Sequence, residues 1–309
     1  MASLLKRLFG QPAPAAVDLD DTVWRDTLAA MPWLGHLDAA GLARLRELSA
    51  GFLAAKTVTG AGGFEVDDRV RVAIAAQACL PILKLGLAAY DDFVEIVVYP
   101  DRFLVRRTEV DEAGVVHEST DELAGEAMER GPVVLSWPDA DPSGNGDPKG
   151  EDDPDADDDP DGAGHRPTRG WNVVIHEFAH KLDMLDGDPD GVPPLPARRR
   201  AAWVREIEGA WASFCGMLDR LEAAIPRHVD PESPQGEAWY ASLPLDPYAA
   251  TDVSEFFAVA AEAFFVDPEP LADVFPELYR MLAGYFGQDP LSAVRAPASD
   301  GRPAGGGPG

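Results

Sequence analysis

A chain of 309 residues, 46% of them apolar, can bury a substantial core, and a formal charge of -28 sets it against nucleic acid and anionic membrane surfaces as partners. Its two cysteines, Cys79 and Cys215, form neither a disulfide framework nor a Cys-x-x-Cys metal site. No run approaches a membrane span, and Met1–Gly10 lacks the apolar centre and cleavage site of a secretory signal, so a cytoplasmic protein is the expectation.

Residues 1–18 read as a flexible N-terminal segment, the amphipathic Leu4-Leu5-Lys6-Arg7-Leu8-Phe9 followed by a Pro/Ala linker, and residues 19–296 as a single domain. From Asp20 to about Lys56, Trp24, Leu28, Leu34, Leu42, Leu45 and Leu48 recur at helical spacing, with breaks around Pro32 and Gly35. His36 falls in that break without a companion at metal-ligand spacing and reads as a turn residue. Gly60–Gly63 punctuates the chain before a core helix from about Asp67 to Leu80. The period then changes, and Val94–Tyr99, Phe103–Val105, Val115-Val116 and Val133–Trp137 predict the strands of a small sheet. An exposed strand near a cleft would let an extended peptide add its own backbone hydrogen bonds.

Between Pro138 and Arg169, eleven acidic side chains stand against Lys149, Arg166 and Arg169, and the composition predicts a disordered, solvated insertion containing His165. Asp155–Asp161 is rich in hard oxygen ligands, but its spacing is not that of a calcium-binding helix–loop–helix. The run Val173–Asp183 follows and contains His176-Glu177-Phe178-Ala179-His180. Four residues apart on a helix, the two histidines project from one face and suit two corners of a tetrahedral zinc site. Glu177 lies beside them, placed to act on a zinc-bound water. Val173, Val174, Ile175, Phe178, Ala179 and Leu182 would bury the helix, where unpaired imidazoles are costly.

A zinc peptidase needs a third protein ligand, and three residues compete for the role. Asp186 stands where one family of His-Glu-x-x-His proteases places its last ligand, but Asp183 replaces the glycine that such a turn requires, and Asp186-Gly187 reads as the helix exit. After the loop Gly187–Pro196, helices over about Ala197–Ala224 put Trp203, Ile207, Trp211, Phe214 and Leu218 on an inner face, and His228 falls in the loop beyond. Glu255 and Glu262 then lie seven apart on a strongly apolar helix, Phe256–Phe265. Asp252-Val253-Ser254-Glu255 is also a capping box, which gives Glu255 a local role, whereas Glu262 fits as a ligand or as a carboxylate holding a histidine. A last helix, Pro276–Phe286, precedes a Gly/Pro tail over residues 297–309.

Val174-Ile175-His176-Glu177-Phe178-Ala179-His180-Lys181-Leu182-Asp183-Met184, with Asp246-Pro247-Tyr248-Ala249-Ala250-Thr251-Asp252 and Glu255-Phe256-Phe257 further on, closely resembles the Mlc titration factor A family of bacterial zinc peptidases. The likeness continues through Gly60–Phe64, Ile74–Pro81, Ile96–Pro100 and Gly131–Trp137, and covers about residues 20–290. In that family, and in the similar catalytic domain of anthrax lethal factor, the third ligand is a glutamate seven residues after a tyrosine. By that resemblance zinc is held by His176, His180 and Glu255, with Tyr248 near the reaction. The implied fold is α+β, a mainly helical zincin-like peptidase domain with a small β-sheet beside the His-Glu-x-x-His helix. The implied activity is hydrolysis of a peptide or protein substrate, by endo- or aminopeptidase action, with Glu177 as general base and Tyr248 as oxyanion donor. Asp183 can orient an imidazole. The alternative is a regulatory protein that sequesters a glucose-system transcriptional repressor, its zinc site secondary; the intact Glu177 favours catalysis.

Overall fold

The computed structural model describes residues 16–110, 116–144, 171–230 and 233–294. The amphipathic start Leu4–Phe9, Val115, the acidic run from 145 to 170 with His165, and the C-terminal tail lie outside the described residues.

The chain is mostly helical with a small mixed sheet, as an α+β reading requires. Its N-terminal third holds α1 (Asp21–Ala29), a short 3-10 turn at Pro32–His36, α2 (Ala39–Ala55), β1 (Thr57–Gly60) and α3 (Asp68–Cys79). Five strands follow, β2 (Glu95–Tyr99), β3 (Phe103–Val110), β4 (Val116–Leu123), β5 (Gly125–Ala127) and β6 (Val133–Ser136). Then come α4 (Val173–Asp183), α5 (Ala197–Ala224), α6 (Pro234–Tyr240), α7 (Val253–Val266), α8 (Pro268–Val274) and α9 (Pro276–Phe286). Short acidic or amide side chains start many of these helices by accepting backbone N–H groups that would otherwise lack partners: Asp20, Asp38, Asp67, Asn172 and Asp252 cap α1, α2, α3, α4 and α7. His36 donates from Nδ1 to Trp33 O at 3.0 Å, the local turn role its position suggests.

The sheet runs β1-β2-β6-β5, with β1, β2 and β6 parallel and β5 antiparallel to β6. Among the described residues β3 and β4 pair only with each other, as an antiparallel hairpin from Phe103↔Leu123 to Val110↔Val116. Two strands were not anticipated. β1 spans only four residues with a mixed burial pattern, and β5 spans three, too few for an alternation to register. The hairpin also extends well past Phe103–Val105. Pro138–Gly144, grouped by composition with the acidic insertion, instead belongs to the fold. There Asp139 takes a two-pronged contact from Arg102 at 2.8 and 3.2 Å plus one from Ser136 Oγ at 2.7 Å, and buried Asp141 pairs with Arg69.

α4 sits in the middle of the apolar core, and all eleven of its residues are buried. One side presents Phe178 to Phe52, Tyr90 and Phe93, with ring centroids 5.7, 5.1 and 5.8 Å away. These edge-on and tilted contacts gain from ring quadrupoles beyond simple burial. α7 packs along α4 and is itself buried from Phe256 to Phe265. The helix that carries the histidines is therefore anchored by the aromatic cluster on one side and by α7 along another. Phe178→Ala should cost about 3–5 kcal/mol of unfolding free energy in urea titrations; a loss below about 1 kcal/mol would show that α4 is not anchored through this ring.

Candidate metal centre

His176 and His180 leave α4 on the same side, and Glu255 comes from the first turn of α7 to meet them. His176 Nε2 lies 3.0 Å from Glu255 Oε2, His180 Nε2 lies 3.2 Å from the same oxygen, and the two Nε2 atoms are 3.1 Å apart. Zinc–nitrogen bonds of about 2.05 Å in a tetrahedron put neighbouring ligand atoms about 3.3 Å apart. The observed triangle has nearly those edges, and the three residues form a group able to hold a metal ion.

The outer nitrogens show how the group is arranged to suit a cation. Glu262, two turns beyond Glu255 on α7, accepts from His176 Nδ1 at 2.6 Å and from the Asn172 backbone N–H at 2.6 Å. Ser254 donates its single hydroxyl hydrogen to Asp183 Oδ2 at 3.0 Å, so its oxygen accepts from His180 Nδ1 at 3.2 Å. Asp183 Oδ2 also accepts Gly191 N–H at 2.8 Å. On both rings Nδ1 is thus the donor, and Nε2, the atom that would bind a metal through its lone pair, turns inward. Two nitrogen lone pairs and a carboxylate then face one another in a buried space. Without a positive charge between them that arrangement is repulsive, and with a metal ion it becomes a ligand set.

The electrostatics show the same demand for positive charge. Burial opposes charge on His176, yet Glu262 and Glu255 beside it drive its pKa well above the ordinary imidazole value. Burial would raise Glu255, but the two histidines facing it hold it well below the usual carboxylate range. Glu177, on the same helix, is pushed up to about 7 by burial, against the pull of the two histidines. Its position is set by β5: a β-carbon on Gly125 would lie 2.5 Å from Glu177 Oε1 and 2.7 Å from its Cγ, so only glycine lets the strand lie this close.

Most residues expected at the site meet there. Tyr248, in the 3-10 turn Pro247–Ala250, is 42% exposed at the surface of the site, its ring centroid 6.0 Å from that of His176. Glu255 does not spend its side chain on the cap, since Asp252 Oδ1 accepts the N–H groups of Ser254 and Glu255. Glu262 holds a histidine, and Asp183 reaches His180 through Ser254. Asp186 lies apart: α4 continues through Asp183 into a turn ending at Gly187, whose φ of 153 suits glycine, and Asp186 pairs with Arg200 at 3.1 Å. His228 is not part of the group. Sequence reasoning missed Ser254, which looked like part of a cap, and Gly125, hidden in an unrecognised strand. It also missed Trp171, which stacks on His176 at 6.4 Å.

Residues 11–287 match the family model described as glucose-regulated metallo-peptidase M90. A protein of Salmonella gallinarum named Mlc titration factor A is 35% identical over 283 residues, 91% of this chain and 92% of that protein. Proteins of the same name from Salmonella schwarzengrund and Salmonella typhi are 34% identical over the same shares.

Metal analysis of purified protein distinguishes the residues. His176→Ala, His180→Ala and Glu255→Ala should each lose bound zinc, Asp186→Ala should keep it, and Ser254→Ala should weaken affinity roughly 10–100-fold by freeing His180. Zinc kept by Glu255→Ala and lost by Asp186→Ala would reverse the ligand assignment.

Proposed function

Because the chain belongs to the glucose-regulated metallo-peptidase M90 family, we propose that it is a zinc-dependent, zincin-like peptidase in which His176, His180 and Glu255 hold the ion. The observation that carries this reading is the inward-facing triangle of two Nε2 atoms and one carboxylate oxygen with Glu177 beside it. The donor set fits zinc in chemistry and in spacing, and leaves room for a non-protein fourth ligand. A bound zinc ion supplies Lewis acidity, making water acidic and polarising a carbonyl.

The chain's own residues supply the rest. Glu177 takes the proton of the attacking water and passes it to the leaving amine nitrogen. Tyr248 donates its phenolic hydrogen to the oxyanion that develops on the carbonyl carbon's oxygen. Glu262 and the Ser254–Asp183 pair hold the imidazoles in the tautomer that directs Nε2 inward.

An extended substrate fits along β5. Ser136 N–H donates to Ala124 O at 2.7 Å and Met128 N–H to Pro132 O at 3.1 Å, so residues 124, 126 and 128 point their backbone groups at β6. Gly125 and Ala127 consequently turn theirs to the sheet's outer edge. A peptide strand hydrogen-bonded there would run beside Glu177, which Gly125 touches.

A second reading comes from the relatives' name, Mlc titration factor A: binding of a transcriptional repressor, the partner that the sequence resemblance implies. Catalysis and such binding are compatible, and the intact Glu177 supports the first.

Hydrolysis of a mixed panel of chromogenic aminoacyl and quenched peptide substrates tests the proposal and separates aminopeptidase from endopeptidase action. Glu177→Gln should keep zinc and lose roughly 10²–10⁴-fold in kcat. Tyr248→Phe should keep zinc and turn over about 10²-fold more slowly. Wild-type protein with zinc bound and no activity on any substrate would turn the reading to repressor binding.

A further inference from the structure

Lys181 follows the second histidine of α4, and its side chain is fully buried. Burying an ammonium ion costs several kcal/mol unless its hydrogens are satisfied, and a methionine would fill the same space without that cost. The charge is therefore explained by what it holds. Its Nζ donates to Met128 O at 2.5 Å and to Gly131 O at 2.9 Å, and lies 4.7 Å from the centre of the Phe93 ring. Met128 and Gly131 belong to the turn between β5 and β6. That turn is strained, for Arg130 has φ 51, a left-handed conformation that a β-carbon disfavours. Gly131 N–H closes it on Met128 O at 3.0 Å.

Lys181 is one helical turn beyond Glu177, so the two side chains leave α4 on the same side. Glu177 meets the first residue of β5, Gly125, and Lys181 grips the turn into which β5 runs. The three-residue strand is thus held against α4 at both ends, by contact at one and by an ammonium at the other. We propose that Lys181 is a positioning residue that sets the edge strand β5 over Glu177 and so governs how extended peptides are held. This rests on the reading of β5 as the substrate-binding edge of a peptidase.

Lys181→Met tests it. Met128 is exposed and Gly131 half-buried, so water can satisfy the two carbonyls in the variant and the fold should persist. Zinc content should be unchanged. Backbone amide exchange across residues 124–136 should speed up about tenfold or more, the equivalent of one charge-assisted hydrogen bond. KM for extended quenched peptides should rise about tenfold, with a smaller change in kcat and a penalty that grows with substrate length; Lys181→Arg, which keeps a cationic donor, should recover part of both effects. Unchanged amide exchange in Lys181→Met would overturn the proposal, as would kcat and KM shifting together regardless of length. Should Lys181→Met fail to fold, Lys181→Gln, which removes the charge and keeps an amide NH₂, is read in the same way. Absence of hydrolysis in wild type would sink the peptidase reading alone, and amide exchange would then decide the role of Lys181.

Discussion

Three acceptor atoms pointed at one another in a nearly dry space are the constraint from which the rest of this molecule follows. Nε2 of His176, Nε2 of His180 and Oε2 of Glu255 sit within about 3 Å of each other. Such a cluster persists only if the surrounding structure enforces it and a cation relieves it. The first of these conditions shapes the fold. Glu262 and Ser254 reach from α7 to fix the two rings, Asn172 ties the start of α4 to Gln77 of α3 at 2.8 Å, and the aromatic cluster around Phe178 blocks rotation of the helix.

The division of labour among the carboxylates has the same origin. Glu255 is partly exposed and lies against two imidazoles, which keeps it ionised, whereas Glu177 is buried under a glycine strand, which raises its proton affinity. Two glutamates with the same chemistry are thereby given opposite tendencies, one to bind positive charge and one to take up a proton. Sheet and helices contribute separately: α7 brings Glu255, Glu262 and Ser254 to the histidines, and β5 covers Glu177.

Much of this was legible in the sequence because it is written in local patterns. Val173–Asp183 states a buried helix and its two histidines without help from any other segment, and the long helices follow from the spacing of their apolar residues. What depends on distant contacts was not legible. Nothing near Glu255 distinguishes a metal-facing carboxylate from a capping one, since the difference is made by α4, 75 to 79 residues away; the family resemblance, not spacing, favoured Glu255 over Asp186. Ser254 was masked in the same way by its neighbour Asp252. β5 escaped because three residues carry no period, and with it went Gly125, whose importance lies in the absence of a side chain opposite Glu177. Lys181 reads as an ordinary polar residue until its ammonium is seen against two carbonyls.

The joining of α4 to α7 has a consequence in polymer terms. His180 and Glu255 are 75 residues apart in the chain, and an ion shared between them acts as a removable cross-link that closes this loop. In the chain-entropy account, closing a loop of that length takes about 4 kcal/mol of freedom from the unfolded chain. The segment from α5 to the Tyr248 turn is enclosed by that link. Metal supply would then govern more than chemistry, because the same ion that completes the site would also decide how firmly the C-terminal half of the molecule is tied to the rest.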